Sequence, residues 1–377
     1  MNEIDLLGFN PQSLFNNETK EQTSTGNQLI YRTRPQDSVS EDGIYRARIK
    51  VIWNPENPKQ SFLEQQSYGL QDADGFFNVI SSLTVDDKSC PIFTSWKKCH
   101  YAQPGTALYN QQLSKDKGGK GLYDRRFARY VIVQILKDKN QPDLVGSFKL
   151  WKLPTSIYNL IQQKMNPSKD SGKTAIPVMD YLFGYAINLE VLPGPDDKNN
   201  PLRKTREISY QGEFTDDPVS CVCPDGSPIL NDSEQEVLDA YIKKIKKVWK
   251  MVCEDADEIA ERDEMIKSVQ QSEEYKNLIP IYAKVLNEIK EWAPKLETLS
   301  YKEWTPELKT RVANWIKIVE SGNDPATTKV DPATGKIVSS DVQVSTETPT
   351  QTPETTEVPQ KSSVEISNTD DTDDLPF

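Results

Sequence analysis

The chain has 377 residues, of which 36% are hydrophobic and 27% charged, and its formal net charge at pH 7 is −12. Its one histidine, His100, excludes mechanisms that need two, and the overall negative charge argues against a nucleic-acid partner because phosphates attract lysine and arginine. No apolar run approaches the ~20 residues of a membrane helix, so no membrane association is predicted. The N-terminal residues lack the pattern of a secretory signal, and the five cysteines are expected to be reduced thiols in a cytoplasm.

The charge is distributed unevenly along the chain. Residues 44–210 carry 24 basic and 16 acidic side chains, a net charge of +8. The flanking segments are acidic, with −4 over 1–43, −8 over 211–320 and −8 over 321–377. Because a basic segment lies between acidic ones, the overall negative charge no longer argues against a nucleic-acid partner. We therefore divide the chain into an N-terminal arm (1–43), a core (44–215), a helical subdomain (231–320) and a tail (321–377).

The basic core is predicted to be built from strands. Between 44 and 53 the apolar residues alternate with polar ones, which is typical of a strand with one buried face. The other face of this strand carries Arg46, Arg48 and Lys50, which are candidate DNA contacts. Further strands are predicted at 76–83, 130–136, 147–153 and 182–192, with a short helix at 156–165.

A basic block with aromatic residues extends from Lys115 to Tyr130 and has a net charge of +4. Cations that follow a phosphate backbone, together with rings on which unpaired bases stack, are what sequence-tolerant binding of single strands requires. The alternative is a solvated surface loop in which Phe127 and Tyr130 belong to the core. The candidate DNA contacts in this block are Lys120, Tyr123, Arg125, Arg126, Phe127 and Arg129.

From Asp232 the apolar residues recur every three or four positions, which predicts helices to about Glu320. Pro280 and Pro294 are expected to mark boundaries or kinks. After Gly322 the composition changes, because 23 of the 56 residues 322–377 are Ser, Thr or Pro. Such a segment buries too little apolar surface to offset chain entropy, so the tail is predicted to be disordered.

The tail ends in four aspartates, an apolar residue, a proline and a phenylalanine. A terminal aromatic ring can fill an apolar pocket while the carboxylates meet basic groups around it, so this tip is a candidate ligand for partner proteins. The alternative is an ordinary solvating acidic tail. The tip residues are Asp370, Asp371, Asp373, Asp374, Leu375, Pro376 and Phe377.

This tip resembles the acidic C-terminal tip of bacterial single-stranded DNA-binding proteins. The resemblance implies recruitment of replication, recombination and repair proteins. Residues 45–210 in turn resemble the core of the tailed-phage helix-destabilising proteins, which bind single strands through an OB-type fold. The matching stretches are Ile49–Pro58, Asp87–Pro91, Ala107–Asn110, Arg125–Asp138 and Gly146–Ile161.

The phage resemblance implies roles for individual residues. Tyr109 and Tyr123 fall among the base-stacking or cleft-lining aromatics, Arg125 and Arg126 on the principal basic cluster, and Trp151 and Lys152 on an aromatic-basic pair that contacts the strand. Trp151 is equally suited to the core. Further cleft contacts are implied at Lys149, Arg203, Lys204, Arg206 and Tyr210.

Two departures from the family pattern are evident. Phe93 occupies the position of a second zinc-ligating cysteine after Cys90, so apolar packing is expected there and neither a metal nor another cofactor is predicted. The family's basic N-terminal arm is also missing, since Lys20 is the only cation in residues 1–25. Self-association on DNA stays open through apolar residues of that segment.

The predicted fold class is α+β, with an OB-like β-barrel core followed by a helical subdomain and a disordered acidic tail. The predicted function is that of a single-stranded DNA-binding protein, not an enzyme, which coats and protects single strands largely without sequence preference and recruits partners through its tip. Two alternatives are an acidic interaction scaffold of a replication complex without direct DNA contact, and a metal-dependent nuclease.

Overall fold

A computed structural model of the chain describes residues 29–81, 90–104, 106, 108–109, 122, 124–168, 171–194, 196–197, 200–204, 208–300 and 303–339. The protein is α+β and divides into two compact units. The described part of the first unit lies within 29–65 and 128–300, and that of the second within 66–127 and 303–339. No helix in these ranges is both long and apolar enough to cross a membrane.

A mixed sheet of eight strands is the main β element. Its longest path runs β1-β6-β5-β2-β7-β10, while β3 pairs with β4 and with β5. Within the described ranges β1 and β10 do not pair with each other, so this sheet is open and does not close into a barrel. Its strands are β1 (Ile30–Tyr31), β2 (Tyr45–Ile52), β3 (Leu63–Asp72), β4 (Gly75–Ile80), β5 (Asp124–Asp138), β6 (Phe148–Lys152), β7 (Ile187–Leu192) and β10 (Ser209–Phe214), and a separate pair is formed by β8 (Asp196–Asp197) and β9 (Asn200–Lys204).

The core of the first unit lies on the central strands of this sheet. Ile49 and Val51 on β2, and Val131 and Val133 on β5, are buried, as expected for β-branched residues on a pleated surface. Helices α2 (Thr155–Met165), α3 (Asp232–Trp249), α4 (Ala256–Gln270) and α5 (Glu273–Trp292) contribute to the same apolar cluster. The predicted helical subdomain 231–320 is therefore divided, because its part up to residue 300 shares the core of the first unit.

Helix starts and stops in this region follow local chemistry. Asn231 caps α3 in a capping box, in which its side chain accepts from the Glu234 amide and the Glu234 carboxylate accepts from the Asn231 amide. Pro294 follows the end of α5 as predicted, whereas Pro280 lies inside that helix. Burial of Leu278 and Ile281 on either side of Pro280 offsets the backbone hydrogen bond that proline cannot make.

The second unit has its own apolar core. It is built by the β3–β4 hairpin, α1 (Pro91–His100) and α6 (Pro306–Glu320), with Tyr68, Phe93 and Trp315 among its buried side chains. The Trp315 indole donates to the Gln71 carbonyl at 2.8 Å.

The segment 321–339 is ordered, which corrects the predicted start of the disordered tail. β11 (Thr328–Val330) and β12 (Ile337–Ser339) form an antiparallel hairpin. Gly335 takes a positive φ of 64° in the turn between them, and its carbonyl accepts from Lys317 on α6. Local turn chemistry and contact with a helix thus order a stretch whose average composition predicts disorder.

Buried tyrosines predict how stability depends on pH. Burial raises the pKa of Tyr31, Tyr45, Tyr181 and Tyr241 above the ordinary value of 10.0. The folded state therefore holds these protons while the unfolded chain releases them above pH 10, and the free energy of unfolding should fall as pH rises, by about 1.4 kcal/mol per pH unit for each tyrosine. Urea unfolding of the wild type and of Tyr181→Phe at pH 9.5 and 11 measures one such contribution. If the free energy of unfolding fell by the same amount between pH 9.5 and 11 in the wild type and in Tyr181→Phe, the prediction would be contradicted.

Candidate nucleic-acid interface

An open cationic groove lies on the first unit beside the edge of the sheet. Its volume is about 640 Å³. Three of its lining residues, Arg32, Arg34 and Lys149, are cations, and Asp37 is the one carboxylate among them. We call this surface the cationic groove; its remaining lining residues are Ile30, Gln141 and Leu144. Cations of this density on an open surface suit a polyanionic backbone.

The sheet positions the two sides of the cationic groove. β1 runs parallel to β6, with Ile30 opposite Leu150, so Arg32 follows a strand whose neighbour carries Lys149. Gln141 fixes the chain from the other side, because its side-chain amide donates to the Arg32 carbonyl at 2.8 Å and to the Tyr45 hydroxyl at 2.5 Å. The backbone that carries Arg32 is therefore tied both to a strand and to a loop.

A buried polar network beside the groove holds this arrangement. The Asp138 carboxylate accepts from the Tyr31 hydroxyl at 2.7 Å and from the Tyr45 hydroxyl at 2.5 Å. It also accepts from the Asn140 and Gln141 amides at 2.8 and 3.2 Å. Burial is the main reason why the pKa of both tyrosines is raised, so they remain hydrogen-bond donors even above their ordinary pKa of 10.0. A buried network whose members are all hydrogen-bonded is rigid, and it preorganises the loop that lines the groove.

A second surface lies on the hairpin β3–β4 in the second unit. Alternate residues of β4 face outward, and among them Phe76 is 51% and Ile80 38% exposed. The Arg126 guanidinium lies 5.9 Å from the Phe76 ring centroid and donates to the Asn78 side chain at 3.5 Å. We call Phe76, Asn78, Ile80 and Arg126 the hairpin face. An exposed ring beside an arginine is suited to stacking an unpaired base next to its phosphate.

The acidic turn of this hairpin is neutralised from the same unit. Arg311 donates to both oxygens of Asp72, at 2.6 and 2.8 Å, and lies over the Phe77 ring at 4.0 Å. Lys329 pairs with Asp74 at 2.6 Å. Burial is the largest single influence and would raise the pKa of Asp72, but the hydrogen bonds from Arg311 and the Asp74 amide, together with the charges of Arg311 and Lys329, lower that pKa below its ordinary value. The carboxylates near the hairpin face therefore carry their own counterions.

Two predicted DNA contacts are instead core residues. Lys50 has no exposed surface, and its amino group donates to the Val219 carbonyl. A register shift between Arg48 and Ile49 interrupts the alternation of β2. Residues 219–222 cover the face on which Lys50 lies. They are held there by Gln134, whose side chain donates to the Val222 carbonyl and accepts from the Val222 amide. Burial accordingly lowers the pKa of Lys50.

Trp151 is the second correction, since it is 1% exposed and its indole donates to the Thr33 hydroxyl at 3.3 Å. The strand pattern of β6 admits either face for this residue, and the structure places it in the core of the first unit.

The remaining predicted cations have mixed surroundings. Arg46 is exposed but pairs with Asp42 and Glu190, at 2.8 and 2.7 Å. Arg48 donates to Asn188 at 2.8 Å. Arg129 is largely covered, because it pairs with Glu64 at 2.7 Å and lies 3.6 Å from the Tyr158 ring centroid. These three cations already have partners within the protein.

Other predicted residues lie at accessible or half-buried positions. Phe127 is 36% exposed, and Lys149 and Lys152 are half-buried on β6. Tyr109 is also half-buried, and the Tyr210 hydroxyl donates to the Thr33 carbonyl at 3.4 Å. Of the predicted contacts, the structure brings Lys149 into the cationic groove and Arg126 into the hairpin face.

Several predicted residues fall outside what the structure describes. Lys120, Tyr123 and Arg206 lie outside the described residues, as do all seven tip residues, Asp370, Asp371, Asp373, Asp374, Leu375, Pro376 and Phe377. For Arg125 on β5, and for Arg203 and Lys204 on β9, the structure describes the backbone alone.

The cysteines do not assemble a metal site in the described part of the chain. No group of three or more His, Cys, Asp or Glu side chains there has the geometry to hold a metal ion. Cys90 and Cys99 are buried in the core of the second unit with Phe93, which stacks on Trp96 at 5.7 Å between ring centroids. Phe93 thus fills apolar space, as its position after Cys90 predicts.

Sequence reasoning missed Arg32, Arg34 and Phe76, which supply two cations and the exposed ring of these surfaces. Arg32 and Arg34 belong to a segment whose net charge is −4, so the count over 1–43 concealed them. Their signal was the alternation of Arg32, Thr33 and Arg34 directly after the apolar pair Ile30–Tyr31. Phe76 was included in a predicted strand, but nothing in that strand's pattern distinguishes the exposed Phe76 from the buried Phe77.

The two surfaces together supply cations, an exposed ring and a supporting polar network, each built from residues within one unit. Their chemistry matches what binding of a single-stranded polyanion requires. Comparison of the chain with models of protein families and with curated proteins finds no match.

Proposed function

We propose that this protein binds single-stranded DNA largely without sequence preference, coats and protects it, and recruits replication, recombination and repair proteins through its C-terminal tip. The observation that carries the proposal is the cationic groove, in which Arg32, Arg34 and Lys149 line one open surface. Three cations along a groove suit successive phosphates of a flexible strand. The hairpin face supports the proposal further, because it offers an exposed ring for stacking.

We propose that the open sheet over 44–215 serves this activity as an OB-like core. The long strands β2 and β5 support it, since they pair across a register shift at Arg48 and Ile49. Such irregularities bend strands and allow a sheet to curl. The proposed site of action is the cytoplasm, for which the five free cysteines are the supporting observation.

A titration with oligo-dT at two salt concentrations tests the function. We expect binding at 50 mM salt that weakens steeply at 200 mM. With at least three phosphates neutralised, log Kobs should fall with log salt with a slope of about −2 or steeper, at ~0.7 per phosphate on a single strand. A mixed-sequence oligonucleotide should bind within a few-fold of oligo-dT. Absence of binding at 50 mM salt would favour the scaffold, and Mg²⁺-dependent shortening of the oligonucleotide would favour the nuclease.

Phe76→Ala tests the role of the hairpin face. Stacking of a base on an aromatic side chain contributes ~1–3 kcal/mol, so the variant should bind oligo-dT about 5- to 160-fold more weakly. Fluorescence titration at fixed salt measures the change. Because Phe76 is 51% exposed, the variant should keep the wild-type thermal stability.

Phe76→Tyr is the matched variant, since it keeps a ring of the same shape and should bind within about twofold of the wild type. Wild-type affinity in Phe76→Ala would remove the hairpin face from the proposed interface.

A further inference from the structure

Helix α3 carries a basic stripe that the proposed DNA interface does not use. Residues 239, 242, 243, 246 and 247 of this helix, together with residue 250 directly after its end, are spaced so that they lie on one side of the helix. With the loop at 217–218 they line a groove of about 470 Å³. We call this surface the lysine groove; it is lined by Asp217, Pro218, Asp239, Ile242, Lys243, Lys246, Lys247 and Lys250.

The lysine groove combines free charge with an apolar floor. Lys243, Lys247 and Lys250 are exposed, and no carboxylate among the described residues lies within ion-pair distance of them. Lys246 is the exception, since it pairs with Asp217. Ile242 and Pro218 are half-buried between these charges. Such a surface selects a ligand that is acidic and carries an apolar group.

Four lysines on one side of a helix are unexpected in this part of the chain. Residues 211–320 have a net charge of −8, and the exposed charged residues of α4 are mostly acidic. A helix needs only its apolar stripe for packing, which on α3 is formed by Leu238, Tyr241, Ile245 and Val248. The lysines lie outside that stripe, so packing does not account for them.

We propose that the lysine groove binds the chain's own C-terminal tip, Asp370–Phe377. The four aspartates of the tip complement Lys243, Lys247 and Lys250, the three lysines of the groove that no carboxylate of the described residues pairs with. Leu375 and Phe377 supply apolar groups for the floor at Ile242 and Pro218. The groove volume is also within the range of roughly 300–1,000 Å³ typical of pockets that enclose a ligand.

The length of chain before the tip permits this contact. Residues 340–369 separate the last described residue, Ser339, from the tip. About 30 residues span up to roughly 100 Å when extended. Tethering also raises the effective concentration of the tip at the groove relative to a free peptide, so a weak contact suffices to hold it.

The lysine groove and a partner protein would then compete for binding to the tip. A partner protein that binds the tip must displace it from the lysine groove, and this sets a threshold for recruitment. The proposal requires no DNA contact, so its failure and a failure of single-strand binding are separate results.

A peptide titration tests the proposal. A fluorescent peptide of residues 368–377 is added to the chain that lacks 370–377, and anisotropy is recorded without nucleic acid. We expect saturable binding that weakens with salt and is at least tenfold weaker in Lys243→Glu/Lys247→Glu. The matched control, Lys267→Glu/Lys290→Glu, changes two exposed lysines of α4 and α5 by the same charge and should stay within twofold. Circular dichroism verifies that both variants are folded.

Two further measurements identify the occupant. The peptide with Phe377→Ala should bind at least fivefold more weakly, because the apolar floor then lacks its ligand. The intact chain should bind free peptide at least tenfold more weakly than the truncated chain, because its own tip occupies the groove. No saturable binding, equal losses in both charge variants, or equal affinity of intact and truncated chains would overturn the proposal. Loss of oligo-dT affinity in Lys243→Glu/Lys247→Glu without peptide binding would assign the groove to nucleic acid instead.

Discussion

Removing the three cations of the cationic groove is expected to lower the affinity for oligo-dT about 100-fold at 0.1 M salt. The variant is Arg32→Ala/Arg34→Ala/Lys149→Ala, whose three side chains line one surface. Each phosphate contact on a single strand contributes ~0.7 to the slope of log Kobs against log salt. Losing three contacts should therefore make the slope of log Kobs against log salt shallower by about 2. Over the tenfold change from 1 M to 0.1 M salt, this difference in slope lowers the affinity of the variant at 0.1 M about 100-fold relative to the wild type. Titrations at four salt concentrations measure both quantities.

A matched variant separates the groove from general electrostatics. Lys267→Ala/Lys290→Ala/Lys295→Ala removes three exposed lysines of the same unit and changes the net charge equally. Its affinity should stay within about threefold of the wild type and its salt slope should be unchanged. Equal losses in the two variants would mean that overall charge, and not the cationic groove, determines binding.

Much of the sheet was predictable because its strands carry clear local patterns. The alternation over 44–53 predicted β2, and the apolar run at 130–136 lies within β5. The helical periodicity from Asp232 predicted α3, but its cap is Asn231 and not Asp232 or Ser233, the two residues whose side chains also suit that position. These elements are specified by residues close to one another in sequence, and periodicity reports such information well.

Long-range packing explains what the sequence alone did not predict. Lys50 follows the alternation of β2 as a surface residue, yet residues 219–222 cover it from a loop 169 positions away. Trp315 and Val312 on α6 complete the core of the hairpin β3–β4, although more than 200 residues separate them in the chain. Sequence patterns within a short window carry no information about contacts between residues so far apart in the chain.

In two segments of the chain, an acidic net charge concealed a basic surface. The segment 1–43 is acidic overall and still supplies Arg32 and Arg34 to the cationic groove. The segment 211–320 has a net charge of −8 and still carries the lysine groove. Binding depends on the potential at one surface, which falls off over about 10 Å at 0.1 M salt, and not on the sum over a segment.

Trp315→Ala is expected to open the hairpin β3–β4 selectively. Trp315 is 1% exposed, and its indole donates to the Gln71 carbonyl of β3 at 2.8 Å. Replacing a buried tryptophan by alanine costs about 3–5 kcal/mol, since packing is lost and a cavity remains. Hydrogen exchange of the β4 amides should accelerate at least 100-fold if they exchange through opening of the second unit, because ~1.4 kcal/mol corresponds to a factor of ten. Unchanged β4 exchange would contradict this role.

The same variant connects the core of the second unit with the hairpin face. Trp315→Phe keeps most of the ring volume and should accelerate β4 exchange far less, while the amides of β2 and β7 in the first unit report whether the loss is local. If an ordered hairpin is what presents Phe76, the effect of Phe76→Ala on oligo-dT affinity should largely disappear in the Trp315→Ala background. A double-mutant cycle measures that coupling directly. Additive losses would mean that Phe76 contributes without the support of α6, and the hairpin face would then be a local feature of β4 alone.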